Sequence, residues 1–351
     1  MSTIAGGGDH SIIVGVDGEA WVCGLNTNGE LGLDDFSDRC RHFPLLDIPF
    51  VVAASAGRSH TILLNDEGNA YYAGQIGQVV AKQKIFQKLT IPLRVSSAVS
   101  GISHSLFLDE SGGVWSIGCG QRGQLGMGNT IDVTVPHRIP NLPVITSIAA
   151  GNEHSLMLDV DGAVWGCGSN LFGQLGTHDT SDVTQPTQIP RIEAREIYAG
   201  YEVSILMATD ELLWVTGTWW KGTTRDLTKL ELPFFTQSVS VAGHVLFLDI
   251  EGNVWGCGLN TSAQLGLGDM HEVAQPERIP NLPPIVAVSA GAIHSMFLDV
   301  DGNLWCCGEN VHGQLGTGDV AVRKDPVKVL GLPKIPTRNK RNFTTKSARN
   351  F

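Results

Sequence analysis

The stretch Ala150-Gly151-Asn152-Glu153-His154-Ser155-Leu156-Met157-Leu158-Asp159-Val160-Asp161-Gly162-Ala163-Val164-Trp165-Gly166-Cys167-Gly168 decides the fold, because the chain repeats it. Close copies run over 7–24, 56–74, 100–118 and 290–308, and weaker ones over 199–217 and 241–258. Anchored on the His, the copies sit at His10, His60, His104, His154, Val203 in place of His, His244 and His294. Eleven residues on comes an aromatic (Trp21, Tyr71, Trp115, Trp165, Trp214, Trp255, Trp305), and three later a Gly (Gly24, Gly74, Gly118, Gly168, Gly217, Gly258, Gly308). The first and last anchors are 284 residues apart, about 47 per unit, a period of the kind that marks repeat architectures.

Within the unit, Ser155–Val160 reads as a strand, Asp161-Gly162 as a hairpin turn and Ala163–Cys167 as the return strand. Ile145–Ala149 reads as a strand before the unit. Asp182–Ile189 reads as an outer edge strand, where Pro186 costs no ladder bond. Four short strands per unit, seven times over, predict an all-β chain: a seven-bladed β-propeller of four-stranded antiparallel blades over residues 1–333. A straight solenoid needs atypical end units, whereas here the first and last copies are among the best matched, so a closed ring is expected.

Composition agrees and excludes other classes. Of 351 residues, 42% are apolar and 17% charged, too apolar for a disordered chain. The 42 Gly follow no triplet period, which excludes collagen. No basic-then-apolar N-terminal segment and no run of about 18 apolar residues occur, so a soluble nuclear or cytoplasmic protein without a membrane partner is expected. Seven Cys are too few for a disulfide scaffold. Residues 334–351 hold six basic residues and no acidic one, and read as a disordered tail that could act as a nuclear import signal or touch phosphate. Residues 1–333 then carry 18 basic against 35 acidic residues, a net −17, which repels nucleic acid and suits a basic protein partner.

The motifs that could carry chemistry have structural readings. One His per unit, spread round a ring, reads as a half-buried His holding a neighbouring turn. Cys23, Cys167, Cys257 and Cys307 fall in different blades, too separate for a disulfide or zinc site, and read as small core fillers. Gly118-Cys119-Gly120-Gln121-Arg122-Gly123 closes a strand rather than opening a helix, so it is no dinucleotide site. No nucleophile, base and orienting group come together, so neither an enzyme nor a cofactor or metal is expected. The two residues between Gly and His vary while their surroundings do not; in a propeller they lie on a loop at one face. They put Asp9, Glu153 and Glu202 there.

The A-G-x-x-H-[ST], Asp-Gly, W-x-x-G and following G-Q-L-G elements resemble the repeat of the regulator of chromosome condensation family. The last element stands at Gly29-Glu30-Leu31-Gly32, Gly123–Gly126, Gly173–Gly176, Ala263–Gly266 and Gly313–Gly316. Repeats 2 and 5 lack it, continuing as Gln75-Ile76-Gly77-Gln78-Val79 and Thr218-Trp219-Trp220-Lys221-Gly222, and altered loops are expected there. The resemblance implies a guanine-nucleotide exchange factor for a Ran-like small GTPase. In that family the acid before the His of a G-N-D-H segment acts on Ran, and Gly151-Asn152-Glu153-His154 is similar. By the same implication Asn152, Asp9, Glu202, Gln121 and Arg122 would face the GTPase, with His244 standing near a functional His position and the loop Gly120–Asn129 in the place of a wedge. A second acidic position of the family would fall on Ile102. The alternative is a non-catalytic interaction scaffold anchored by Trp219, Trp220 and Lys221. The family's ultraviolet-B photoreceptor has Trp between Gly and His; no copy here does, so photoreception is not expected.

Overall fold

In a computed structural model that describes residues 3–190, 192–219 and 222–335, the chain forms seven sheets of four antiparallel strands, each sheet built from consecutive strands. Blade 4 shows the pattern: Ile145–Ala150 inside, then His154–Asp159, Val164–Gly168 and, outermost, Val183–Gln188. This is the expected seven-bladed propeller. The second strand of every blade is buried along its whole length, polar residues included, because blades pack on both of its faces.

The conserved-looking letters of the unit are structural. Asp159 Oδ1 accepts the N–H groups of Asp161 and Ala163, and its Oδ2 accepts Trp165 Nε1–H at 2.9 Å, so one carboxylate fixes both the turn and the blade Trp. The same Asp–Trp bond recurs at Asp109–Trp115, Asp249–Trp255 and Asp299–Trp305. At Gly168, φ is +107° and a Cβ would lie 2.4 Å from the Glu153 carbonyl oxygen, so only glycine fits.

The anchor histidines are fully buried rather than half-buried, and they bond the next blade rather than a turn of their own. His104 Nε2 meets Ser155 Oγ at 2.9 Å, and Ser155 Oγ donates to the Gln124 carbonyl at 2.7 Å. Since the single hydroxyl proton goes to the carbonyl, the His must donate through Nε2–H, and burial, which lowers its pKa to about 4, keeps the ring neutral. His10–Thr61, His60–Ser105, His154–Ser204, His244–Ser295 and His294–Ser11 repeat the bond. The staple thus has three parts: the His and the loop carbonyl of one blade, and the hydroxyl of the next. The 5–6 seam dispenses with all three. Blade 5 has Val203 for His and no G-Q-L-G loop, and blade 6 has Val245 for Ser; both valines join one apolar cluster. Blade 2 also lacks the loop but keeps His60, and there Ser105 turns its proton to Ser100 Oγ at 3.3 Å.

The shortened loops are filled locally. The loop leucines Leu31, Leu125, Leu175, Leu265 and Leu315 are buried; in blade 2 Ile76 and Val80 are buried in that region. In blade 5 the third and fourth strands lengthen to Leu213–Trp219 and Gly222–Leu230, and Trp219 joins the cluster that holds Leu265 and Val273 of blade 6. Among the described residues, no strand is exchanged between blades 7 and 1. Gly6 N–H donates to Ser289 Oγ, and Ile335 N–H donates to the Gly302 carbonyl, as the first inner-strand residues Ile145 and Ala194 do to Gly112 and Gly162. Ile335 is buried with Ile4 and Ile13, so the ring takes in two residues past the expected boundary at 333. The expected disordered tail otherwise lies outside the described residues.

The four cysteines preceding the blade Gly are buried, and burial pushes the thiols of Cys23, Cys167 and Cys307 up. Their place in the packing is that of core residues.

Candidate functional site

The turns that precede the anchor position, Gly-x-x-His in five of the seven blades, meet round the ring axis. Each is tight, as in blade 4, where Gly151 N–H donates to the His154 carbonyl at 2.9 Å. A Cβ on Gly151 would lie 2.2 Å from His154 Cε1 and 2.4 Å from the Gly200 carbonyl oxygen, which is why the turn needs Gly. The turns are also laced to one another: Gly8 N–H bonds Gly57 O, Asn152 N–H bonds Gly200 O and Ala292 N–H bonds Gly7 O. Backbone is therefore fixed while the two tip side chains remain free to vary. They surround a cavity of about 470 Å3 whose lining includes Asp9, Arg58, Ile102, Asn152, Tyr201 and Ile293.

The mouth is electrostatically uneven. Burial raises the Asp9 carboxyl, opposed by nearby His312 and the Arg58 guanidinium. Burial also raises the Tyr201 phenol, which feels both Arg58 and Asp9. Glu202 is raised by burial and then by Glu153 beside it. Glu153 is exposed and lies 3.7 Å from the Arg122 guanidinium, which also reaches Asp182 at 3.2 Å. Arg122 and Gln121 are exposed on a turn held by the Arg122 N–H bond to Gln124 Oε1. Asp9, Asn152, Glu153, Glu202 and Arg122 thus belong to one face.

Other expected site residues fall elsewhere. His244 is buried, its ring bonded to Ser295 Oγ at 2.7 Å, so it presents nothing to a partner. Trp219 is 9% exposed within a core cluster and fills the place of a missing loop, so it is no surface anchor. Trp220 and Lys221 lie outside the described residues. Selecting acids alone passes over Arg58 and Tyr201, which occupy the same variable positions and line the cavity. Tyr198, deeper in the channel, donates its hydroxyl to Glu196, a pairing that sequence spacing does not signal. Among the described residues no cluster of three His, Cys, Asp or Glu is arranged to hold a metal ion.

The comparisons with known proteins agree with this architecture. The model of the regulator of chromosome condensation (RCC1) repeat matches residues 17–64, 111–158, 161–207, 251–298 and 301–339. The regulator of chromosome condensation of Xenopus laevis is 25% identical over 313 residues, 82% of this chain and 66% of that protein. The probable E3 ubiquitin-protein ligase HERC3 of Homo sapiens is 34% identical over 148 residues, 39% of this chain but 14% of its own length. The chain thus spans from about a seventh to just under two thirds of these relatives. Among solved structures, Prp20p of Saccharomyces cerevisiae superposes with a TM-score of 0.78 at 19% identity, covering 95% of this chain and 86% of that one. The chain belongs to the regulator of chromosome condensation (RCC1) repeat family.

Proposed function

We propose that this chain is a guanine-nucleotide exchange factor for a Ran-like small GTPase, gripping the nucleotide-free GTPase with the face of the Gly-x-x-His turns. The observation that carries the reading is the position of Glu153: exposed beside the channel mouth, next to Glu202 of the following blade and within reach of Arg122. The family relationship supports it, and the structure of Prp20p was determined together with that protein's binding to Gsp1p and histones.

No covalent step is involved. Glu153 and Glu202 offer carboxylates that compete with phosphate for the lysine of a GTPase phosphate loop. Arg122 holds Glu153 in place until the competing cation arrives. A surface ion pair of this length is weak, about 0–1 kcal/mol, so its exchange for a buried one costs little. Binding the empty GTPase more tightly than the loaded one lowers the barrier to release, and a 10⁵-fold acceleration needs about 7 kcal/mol of such difference.

Two observations favour a second reading, a non-catalytic scaffold on the same face. Ile102 stands where the family has a second acid, and His244 is buried. Release of labelled GDP from purified Ran separates the readings. Exchange predicts acceleration at micromolar protein, lost in Glu153→Gln and Glu202→Gln. No acceleration, with binding of a partner indifferent to nucleotide, leaves the scaffold.

A further inference from the structure

Charge round the ring is segregated. Residues 68–108 contain four basic residues and no acidic one, inside a ring of net −17. Three of the four, Lys82, Lys84 and Lys88, lie on or beside the outer strand of blade 2, Gln83–Lys88, and all three are exposed. The next blade continues the sign: its outer strand, Val133–Arg138, ends in exposed His137 and Arg138. Lys84 pairs with Asp34 at 2.8 Å; among the described residues Lys82, Lys88 and Arg138 have no carboxylate within 4.0 Å. The fourth, Arg94, is engaged by Glu110 and by the carbonyls of Asp66 and Glu67.

The loop missing from blade 2 opens the same place. In four other seams the loop of one blade reaches round and caps the outer strand of the next: Asp34 N–H to Lys84 O, Gly128 N–H to Thr184 O, Gly268 N–H to Lys324 O and Gly318 N–H to Cys40 O, at 2.8–2.9 Å. Blade 2 has no such loop, so the equivalent carbonyl on blade 3, that of Thr134, carries no cap of this kind. Beside it Ile131 is 67% and Val135 57% exposed, and Ile85 of blade 2 is 44% exposed. Natural edge strands are normally covered or charged. The other outer strand that follows a blade without the loop, Val273–Arg278 of blade 6, differs in sign, with Asp269, Glu272 and Glu277 on or near it.

From this juxtaposition we infer that the blade 2–3 rim is a docking surface for an extended, acidic segment of a partner protein, in which carboxylates alternate with apolar residues. Lys82, Lys88 and Arg138 meet the carboxylates, Ile131 and Val135 take the apolar side chains, and a partner amide caps Thr134 O. Pro136 removes one donor from that edge, so the partner finds a carbonyl and a charged, apolar rim rather than a full ladder. A long polyphosphate suits the rim less well: it has no apolar groups for Ile131 and Val135 and is repelled by the acidic remainder. Lys82, Lys88 and Arg138 are not among the residues assigned to the GTPase.

The test is fluorescence anisotropy with the full chain and three labelled probes: a twelve-residue peptide alternating Glu and Val, the same peptide with Gln for Glu, and a single-stranded oligonucleotide of similar length. The acidic peptide binds saturably, more weakly at high salt, and on the order of tenfold tighter than the Gln peptide. Lys82→Glu/Lys88→Glu/Arg138→Glu loses that binding by about tenfold or more, while GDP release from Ran, if present, is unchanged. Lys82→Gln/Lys88→Gln/Arg138→Gln gives an intermediate loss and serves if the reversal variant does not fold. Equal affinity for the two peptides, no effect of either variant, no binding below about 1 mM, or an oligonucleotide bound as tightly as the peptide would each overturn the inference. So would rim-dependent self-association in sedimentation, which would make a second copy the occupant.

Discussion

Removing the hydroxyl of Ser155 should cost more than removing that of Ser105, although both side chains stand at the same position of the repeat. Ser155 Oγ takes the Nε2–H of His104 at 2.9 Å and gives its proton to Gln124 O at 2.7 Å, all within buried surroundings. Ser155→Ala leaves an imidazole N–H unpartnered and the Gln124 carbonyl with only the weak Cys167 thiol donor at 3.7 Å. At about 1–3 kcal/mol for each buried group that loses its hydroxyl partner, the substitution costs about 2–6 kcal/mol. Ser105 takes the Nε2–H of His60 at 2.8 Å, but its proton goes to Ser100 Oγ at 3.3 Å because blade 2 offers no loop carbonyl. Ser105→Ala therefore orphans one strong donor and costs about 1–3 kcal/mol. Equilibrium urea unfolding, followed by tryptophan fluorescence and far-ultraviolet circular dichroism at unchanged slope, measures both. Equal losses, or a larger loss for Ser105→Ala, would refute the three-part staple.

Acid should unfold the ring early. Burial holds the rings of His10, His42, His60, His154 and His244 near pKa 3 and those of His104 and His294 near 4, with a neighbouring anchor His adding to the effect at His10, His60, His154 and His244. The unfolded chain takes up these protons from about pH 6.5 and the folded one does not, so their stability is present above 6.5 and lost as pH falls toward 4. At pH 5.5 each ring forfeits about 1.4 kcal/mol, on the order of 10 kcal/mol for seven, and a urea midpoint unchanged between pH 7 and 5.5 would contradict this. Trp219→Ala should cost about 3–5 kcal/mol by emptying the blade 5–6 cluster, measured by the same unfolding, whereas a surface Trp would cost little. Asp299→Ala should cost about 2–4 kcal/mol, since its carboxylate accepts from the Asp301 and Asn303 N–H groups, Asn303 Nδ2 and Trp305 Nε1; a loss under about 0.5 kcal/mol would contradict that role. Val245→Ser should destabilise by about 1–3 kcal/mol on its own and be partly rescued by Val203→His, with a double-mutant cycle reading the coupling.

Repeat spacing made the blades, their number and their strands legible in the amino-acid sequence. One His, one aromatic and one Gly at constant offsets require one local geometry, used seven times, and an Asp-Gly turn between alternating runs is a local signal. The variable pair between Gly and His was legible as a face for the same reason: everything round it is held constant. Roles that depend on a neighbouring blade were not legible. His244 reads as a possible surface group, yet its partner is Ser295, fifty-one residues away. Trp219 reads as an exposed anchor, yet the missing loop gives it a core position beside residues of blade 6. Arg58, Asp9 and Tyr201 come from three blades, and only the closed ring brings them to one mouth. Local periodicity sets what a unit is, because its hydrogen bonds and turns lie within about 47 residues; which side chains are buried, paired or left at the rim is decided between units, by packing that the order of residues along one strand does not encode.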